Sequence, residues 1–474
     1  MFATKFITKG VTVKAGKIIN DAIRLPQYLT VYDHKVHEHI IEYYVTAPTP
    51  TDVVCPHCGN VNCSSKGSDG YFSVHHVPTG LQGSMINFKR LRYFCNDCNV
   101  SFTYRPVWIH KSLPITMDLY QLICTRLSST SSLKDIAISC GVTRSIVRGV
   151  LKSINLSHPD YLGEVFCIDE FKGESGEWQE DDKYFTSNMY HCNIVDWKSH
   201  RVIDILPKRD SKYLKKYFMT YSDDVRKNVK YLCCDMHEGF ANLCDEIFPN
   251  AEVCTDYFHV IKRLLDALDE VRIRYQNELK DAYEKVPHNK HLENKRKALK
   301  DSSHLIKTWK EHIPKYYKKD PSKPQKKLRS IFSNFPDLEV VYNAVQEFHV
   351  LSTQDIYELK RASLSDWISR YESSEVPELR AAVKTIEDWK DPILNSFKTG
   401  YSNGPCEGIN NKIKVLKRNC YGFRSFENFR KRILLCCGFG KLMTEEHSIV
   451  SERRNTAKKE HDSNKKDQAP ADQL

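Results

Sequence analysis

Two short apolar runs in this sequence carry an aspartate where a buried strand would be. "EVFCIDEF" holds Asp169 and "KYLCCD" ends on Asp235. An ionised carboxylate in such a place is costly unless something compensates it, and a divalent cation is one such compensation. A third acid, Glu407, stands in "GYSNGPCEGINNKIKVLKRN", where Gly404 and Pro405 mark a helix start and Ile409, Ile413 and Leu416 trace its buried face. Two aspartates on adjacent strands and a glutamate on a helix make an oxygen-ligand site for two Mg²⁺ ions, suited to activating a nucleophile and stabilising the leaving oxygen in phosphoryl transfer. Each acid also has a plainer reading. Asp169 can satisfy a strand-end amide, and Glu407 can be an ordinary first-turn acid favoured by the helix dipole. The basic residues Lys412, Lys414, Lys417 and Arg418 follow Glu407 and suit an anionic partner, with a solvated helix face as the alternative.

A second chemistry lies upstream. "CPHC" and "CNDC" place Cys55, Cys58, Cys95 and Cys98 as two C-x-x-C knuckles. Each pair can hold two corners of a tetrahedron, and four thiolates suit a closed, structural Zn²⁺ site. Cys63, His75 and His76 are possible substitute ligands. Between the knuckles, residues 59–94 carry a hairpin pattern with Lys89, Arg90 and Arg92. Immediately beyond, "SSLKDIAISCGVTRSIVRGVLKSI" has the texture of a helix-turn-helix, with Gly141 at the turn and Thr143 capping a second helix that bears Arg144 and Arg148. Such a helix can lie in a major groove; an ordinary helical hairpin is the alternative.

The elements that must position these groups divide the chain of 474 residues into several parts. An arm at 1–50 precedes a zinc-binding module at 51–106 and a helix-turn-helix at 111–155. From 160 to 255, "EVFCIDEF", "MYHCNIVDW", "HRVIDILP" and "VKYLCCD" read as strands of one sheet. Helical spacing then runs through 256–397, interrupted by the lysine-rich "YYKKDPSKPQKK", expected as an exposed loop. The core resumes at 398–440, and 441–474 is almost without apolar residues, the composition of a disordered tail. A sheet with a large insertion before the Glu407 helix fits the ribonuclease H-like nuclease fold. The expected class is therefore multidomain α/β: a zinc-ribbon module and helix-turn-helix, then a ribonuclease H-like catalytic domain interrupted by an all-helical insertion.

The net charge of +11 favours an anionic partner. The 17 cysteines lie mostly in apolar stretches such as "LCC" and read as reduced, buried thiols. No apolar stretch is long enough to cross a membrane and no signal-peptide pattern is seen, so a soluble, intracellular protein without membrane partners is expected.

Three segments carry a family resemblance: "IDEF", "CCDMHEGFANLCDEIFPNAEVCTDYFHVIK" and "SNGPCEGINNKIKVLKRNCYGFRSFENFRKRILL". From the cysteine knuckles to about residue 440 the chain resembles the DDE transposases of bacterial insertion sequences, of the ISL-three type. The resemblance implies catalytic roles for Asp169, Asp235 and Glu407, with two Mg²⁺ (or Mn²⁺) ions per active site and one structural Zn²⁺. It implies cleavage and joining of DNA strands. By the same resemblance, water would attack a phosphodiester first, and the freed 3′-hydroxyl would then attack target DNA. The zinc ribbon and helix-turn-helix would recognise the terminal inverted repeats. Asp256 and His259, a D-x-x-H element, would have an accessory role in positioning DNA or tuning the metal site, with a satisfied helix start as the alternative. Phe423 and Arg424 would stack on or clamp DNA, a core role for Phe423 being equally open. The implied partners are double-stranded DNA, at element ends and target, and a second protomer in a homodimer or higher oligomer, in a bacterial cytoplasm at the nucleoid. A catalytically silent DNA-binding regulator derived from a transposase is the alternative, and a structure-specific nuclease on the same fold a third reading.

Overall fold

The structure, a computed structural model, describes residues 25–438 except 27, 157, 174–177, 181–182, 186–189, 317–321, 421 and 424. The contacts divide the chain into two compact units, one comprising 1–158, 174–188 and 411–474, the other 159–173 and 189–410.

The first unit contains a five-stranded sheet and a group of helices. Strands β1 (Thr30–Val36), β2 (Ile40–Thr46), β3 (Cys63–Thr79) and β4 (Gln82–Cys95) are ordered β1-β2-β4-β3, and β5 (Ser101–Thr103) pairs with β4. The expected hairpin between the knuckles is β3–β4, while β1 and β2, to which the sequence assigns no chemistry, join the same sheet. Three helices follow: α1 (Met117–Leu127), α2 (Leu133–Ser139) and α3 (Arg144–Ser153). They bury Leu119, Ile123, Ile136, Val147, Val150 and Leu151 in one core. Ser132 starts α2 with its hydroxyl accepting from Asp135 N at 3.1 Å and donating to the Asp135 carboxylate at 2.7 Å, a reciprocal cap. Gly141 turns the chain with φ of 61°, and a Cβ there would stand 2.5 Å from Gly83 Cα, so the turn rests backbone to backbone on the β4 strand. Thr143 occupies the cap position of α3, yet its hydroxyl makes no capping bond.

The second unit is built on a sheet of β6 (Val165–Lys172), β9 (Tyr190–Asp196), β10 (Arg201–Leu206), β11 (Tyr231–Cys234) and β12 (Glu252–Thr255); the short pair β7 (Trp178–Glu180) and β8 (Lys183–Phe185) belongs to the first unit. The four segments expected as strands of one sheet are β6, β9, β10 and β11. The order is β10-β9-β6-β11-β12, with β9 antiparallel to β6 and β10, and β6, β11 and β12 parallel. Strands covered on both faces read as unbroken apolar runs rather than alternating ones, as "VFCI" and "YLCC" do. Helices α4 (Ser211–Phe218), α5 (Asp223–Lys227) and α6 (Glu238–Ile247) occupy the connections around β11.

After β12 the chain enters a helical block: α7 (Tyr257–Lys285), α8 (Lys290–Lys300), α9 (Ser303–Ile306), α10 (Ile313–Tyr316), α11 (Ser322–Asn334), α12 (Pro336–Ser352), α13 (Tyr357–Tyr371), α14 (Pro377–Asp388) and α15 (Lys390–Thr399). Its core joins Leu264, Leu268, Val345, Phe348, Leu364 and Trp367. Each such side chain contributes about 1.5–3 kcal/mol by leaving water. The lysine-rich stretch expected as a loop is helical from Ser322, because Pro324 falls in the first turn, where a missing N–H costs nothing. Two further helices are α16 (Gly404–Asn419), which belongs to this unit up to Asn410, and α17 (Phe426–Cys437) of the first unit. Among the described residues no helix is long and apolar enough to cross a membrane.

Candidate active site and nucleic-acid interface

The parallel strands lead to three acids. Cys233 is level with Cys167 on one side and Cys254 on the other. Two residues further along each segment stand Asp169, inside β6, Asp235, just past the end of β11, and Asp256, just past the end of β12. Residues two apart in a strand share a face, so Asp169 stands on the same face as Cys167.

Asp169 accepts from Glu170 N at 2.7 Å through Oδ1 and from the side-chain amide of Asn410 at 2.8 Å through Oδ2. Burial pushes its carboxyl up to about 7, and the charges of Asp235, Glu170 and Glu407 add to that. Burial also raises Asp235, against the opposing pull of His259 and His237. Asp235 Oδ1 is buried without a hydrogen-bond partner. Glu170 belongs to a different arrangement, since Arg209 pairs with it and stacks over Tyr190 at 4.7 Å.

Asp256 caps α7, its Oδ1 accepting from Phe258 N at 2.8 Å, which fixes His259 in the first turn. Ligand atoms of Asp256, His259 and Glu407 lie within 4.8 Å of one another. His259 Nδ1 is buried and unpartnered, as are both side-chain polar atoms of Asn403, the residue before α16. Buried polar atoms are nearly always paired, so this concentration of unpaired ones beside ionisable oxygens fits a divalent cation. Among the described residues, Asp256, His259 and Glu407 are the ones whose ligand atoms converge; Asp169 and Asp235 do not join that group, although the charges of Asp235 and Glu407 both reach Asp169.

Two residues of this site escape the sequence reading. Asn410 lies one helical turn beyond Glu407 and joins Asp169 to Asn193, whose amide it accepts at 3.0 Å. Asn193 faces Asp169 across the β6–β9 ladder. The i, i+3 spacing of Glu407 and Asn410 was the available signal.

In the first unit, the sulfurs of Cys55, Cys58, Cys95 and Cys98 converge within 4.8 Å, with Cys55 to Cys98 at 3.6 Å and Cys58 to Cys95 at 3.5 Å. The two knuckles repeat one geometry. Gly59 N donates to Cys55 O at 3.0 Å and Asn99 N to Cys95 O at 3.0 Å, and both donors have positive φ. Hydrogen bonds from the Cys98 and Asp97 amides pull the Cys95 thiol down to about 6 despite burial, favouring the thiolate that a metal needs. His76 Nδ1 is bonded to Thr116 Oγ1 at 2.8 Å, outside this cluster.

A cleft of about 1460 Å³ lies between α2, α3 and the segment linking α16 to α17, all in the first unit. Lys134, Arg144, Arg148, Lys152 and Arg418 line it, against the single acid Asp135. Phe423 lines it too and packs on Phe429 with ring centroids 4.8 Å apart. Behind the cleft, Arg432 is fully buried and donates to the carbonyls of Leu127, Ser129 (3.0 Å) and Ser131 (2.7 Å), closing the end of α1. Of the other basic residues, Lys412 donates to Cys436 O at 3.0 Å, Lys414 is exposed and Lys417 is half-buried. Arg424 lies outside the described residues.

The family profile of ISL3-type DDE transposases, described as "Transposase", matches residues 166–433, more than half of the chain. The chain belongs to this family. It is 22% identical over 392 residues to the transposase for insertion sequence element IS1001 of Bordetella parapertussis, covering 81% of this chain and 89% of that one. It is 26% identical over 263 residues to the transposase for IS1557 of Mycobacterium tuberculosis, covering 54% and 59%. Among solved structures, the Drosophila P element transposase strand transfer complex aligns with a TM-score of 0.38 and 11% identity over 67% of this chain and 91% of that chain.

Proposed function

We propose that this chain binds the terminal inverted repeats of an insertion sequence and catalyses metal-dependent cleavage and transfer of DNA strands. The observation that carries the reading is the pairing of β6 with β11, in which Cys167 is level with Cys233 and Asp169 and Asp235 each follow two residues later, in a chain of a transposase family. The sheet order, with one antiparallel strand beside the strand of the first acid, supports a ribonuclease H-like core formed by 160–255 and 398–440 around a helical insertion at 256–397.

Asp169, Asp235 and Glu407 would hold two Mg²⁺ or Mn²⁺ ions. Bound there, the ions would supply charge for the attacking and leaving oxygens of an in-line displacement. The chain's own residues set the stage for this. Asn410 orients the Asp169 carboxylate and Asp256 fixes the first turn of α7, an accessory role that includes His259. Water would be the nucleophile of cleavage and the freed 3′-hydroxyl that of transfer.

In the first unit, the four cysteines would hold one structural Zn²⁺ with no open position, in a module spanning 51–106. Helices α2 and α3, within 111–155, would act as a helix-turn-helix. The cleft lined by Arg144, Arg148 and Arg418 supports duplex phosphate binding, with Lys412, Lys414, Lys417 and Arg424 as further contacts. Two protomers acting on two element ends in the bacterial cytoplasm complete the proposal.

The test is cleavage of a labelled duplex carrying the flanking inverted repeat, in Mg²⁺ or Mn²⁺, by the intact protein and by Asp169→Ala, Asp235→Ala and Glu407→Ala. The expected result is cutting at the element end that all three substitutions abolish while DNA binding persists. Tight binding with no cutting by the intact protein would replace this reading with a silent DNA-binding regulator.

A further inference from the structure

We propose that Asp256, His259 and Glu407 form a metal site with a nitrogen ligand, and that it prefers a first-row transition ion to Mg²⁺. This rests on the catalytic reading above and changes the ligand set that the family resemblance implies for Glu407. The three residues come from two elements that α7 and α16 bring together, and their ligand atoms lie within 4.8 Å of one another. Asp256 is held rigidly, because one carboxylate oxygen caps Phe258 N and the side chain is buried. One helical turn on, His259 is presented from a fixed backbone.

The groups do not satisfy one another. Among the described residues, neither the Glu407 carboxylate nor the His259 ring makes a hydrogen bond or ion pair. His259 Nδ1 is enclosed by protein and unpartnered, and Asp235 Oδ1, whose carboxyl feels the charge of His259, is unpartnered as well. A histidine serving only the core would donate to a carbonyl or carboxylate; this one keeps Nδ1 unpartnered and has a ring nitrogen within 4.8 Å of two acids. His349 in the same unit illustrates the contrast, since its Nδ1 is bonded to Tyr257 OH at 2.8 Å.

The donor set decides the metal. Mg²⁺ takes hard oxygen ligands in near-ideal octahedral geometry and keeps several waters. An imidazole nitrogen is a poor ligand for it and a good one for first-row transition ions. Two carboxylates and one imidazole leave open positions for water or a phosphate oxygen, so the site is not the closed kind that serves structure alone.

The probe is Mn²⁺, added to the full chain with its zinc in place and no DNA. Pulsed electron paramagnetic resonance should detect nitrogen-14 coupling on bound Mn²⁺, and His259→Ala should remove it. The same substitution should weaken one class of Mn²⁺ binding by about tenfold or more, whereas Asp169→Asn should retain the coupling. Mg²⁺ should displace the coupled ion only at about tenfold or greater excess. Bound Mn²⁺ without nitrogen coupling in the intact protein, or coupling that survives in His259→Ala, overturns the proposal whether or not the variant is fully stable. The two readings fail separately. Cleavage that needs Asp169 and Asp235, with no nitrogen coupling, would remove this inference alone; coupling without any cleavage would remove the catalytic reading and leave the metal site standing.

Discussion

Asn410 holds Asp169. Its amide donates to Asp169 Oδ2 at 2.8 Å while its carbonyl accepts from Asn193 at 3.0 Å, so a helix residue fixes the carboxylate of the central strand. Asn410→Ala should leave Asn193 unpaired as well, at about 1–3 kcal/mol in stability. Cleavage of the element-end duplex should fall roughly 10- to 100-fold with DNA affinity unchanged, as for other residues that orient a metal ligand. Unaltered cleavage rates in Asn410→Ala would sink this assignment.

The raised carboxyl of Asp169 gives the metal-free protein a pH dependence of definite sign. Its folded value is about 7 against an ordinary 3.8, so the folded chain binds that proton more tightly than the unfolded chain does. The contribution is fully present below the ordinary value and lost as pH rises through about 7, up to roughly 4 kcal/mol. Melting curves in chelator, compared between the intact protein and Asp169→Asn, should therefore diverge between about pH 4 and 7, the intact protein losing more. Parallel curves across that range would show that the carboxyl is not raised.

Among the described residues Arg432 has no carboxylate partner; its charge is met by the carbonyls of Leu127, Ser129 and Ser131. Arg432→Met should strip those carbonyls of their charged donor, leaving Leu127 and Ser129 only the weak Cys436 thiol, and cost about 3 kcal/mol, and Arg432→Lys should recover only part of it, since the three donors of an ammonium radiate from one point and cannot reproduce the spread of the guanidinium fork. Residues 130–132 line the basic cleft, so duplex binding should weaken in step with the unfolding free energy. Chemical denaturation and a binding titration on the same variants check this.

Removing one cysteine of the knuckles should release the metal. Cys58→Ser and Cys95→Ser are each expected to contain about one zinc fewer per chain by elemental analysis, because three thiolates hold the ion poorly. Proteolysis should then begin within residues 51–106. Full zinc content in either variant would point to a different fourth ligand.

Arg148 and Arg144 stand one turn apart on the wall of the cleft. If they meet phosphates, Arg148→Ala should flatten the dependence of log affinity on log salt by about 0.9 and weaken all duplexes alike. Loss of preference for one sequence with the salt slope intact would instead mark Arg148 as reading bases.

Much of this arrangement was legible because burial leaves its mark on composition. "VFCIDEF" and "YLCCD" announced strands covered on both faces, and Gly404-Pro405 announced the start of α16. The register was not legible, since no residue type states that Cys167, Cys233 and Cys254 are level. Asn410 was missed because an asparagine on a helix looks alike whether it faces solvent or a carboxylate. Arg432 was hidden for a similar reason: in "FRKRILL" three basic residues look equivalent until the carbonyls of a distant loop single one out. The lysine-rich stretch misled from Ser322 on, 317–321 lying outside the described residues, because proline signals a break in most settings but is accepted in a first turn.

Beneath the acids runs the row of thiols. Burial holds Cys167 well above the ordinary range and a hydrogen bond with Cys167 does the same for Cys233, so both stay protonated and unreactive while the strands remain closed. An alkylating reagent can reach them only when β6 and β11 part. The rate of their modification is therefore a clock for the opening of the very strands that lead to Asp169 and Asp235, and any ligand that ties those two acids together should slow it.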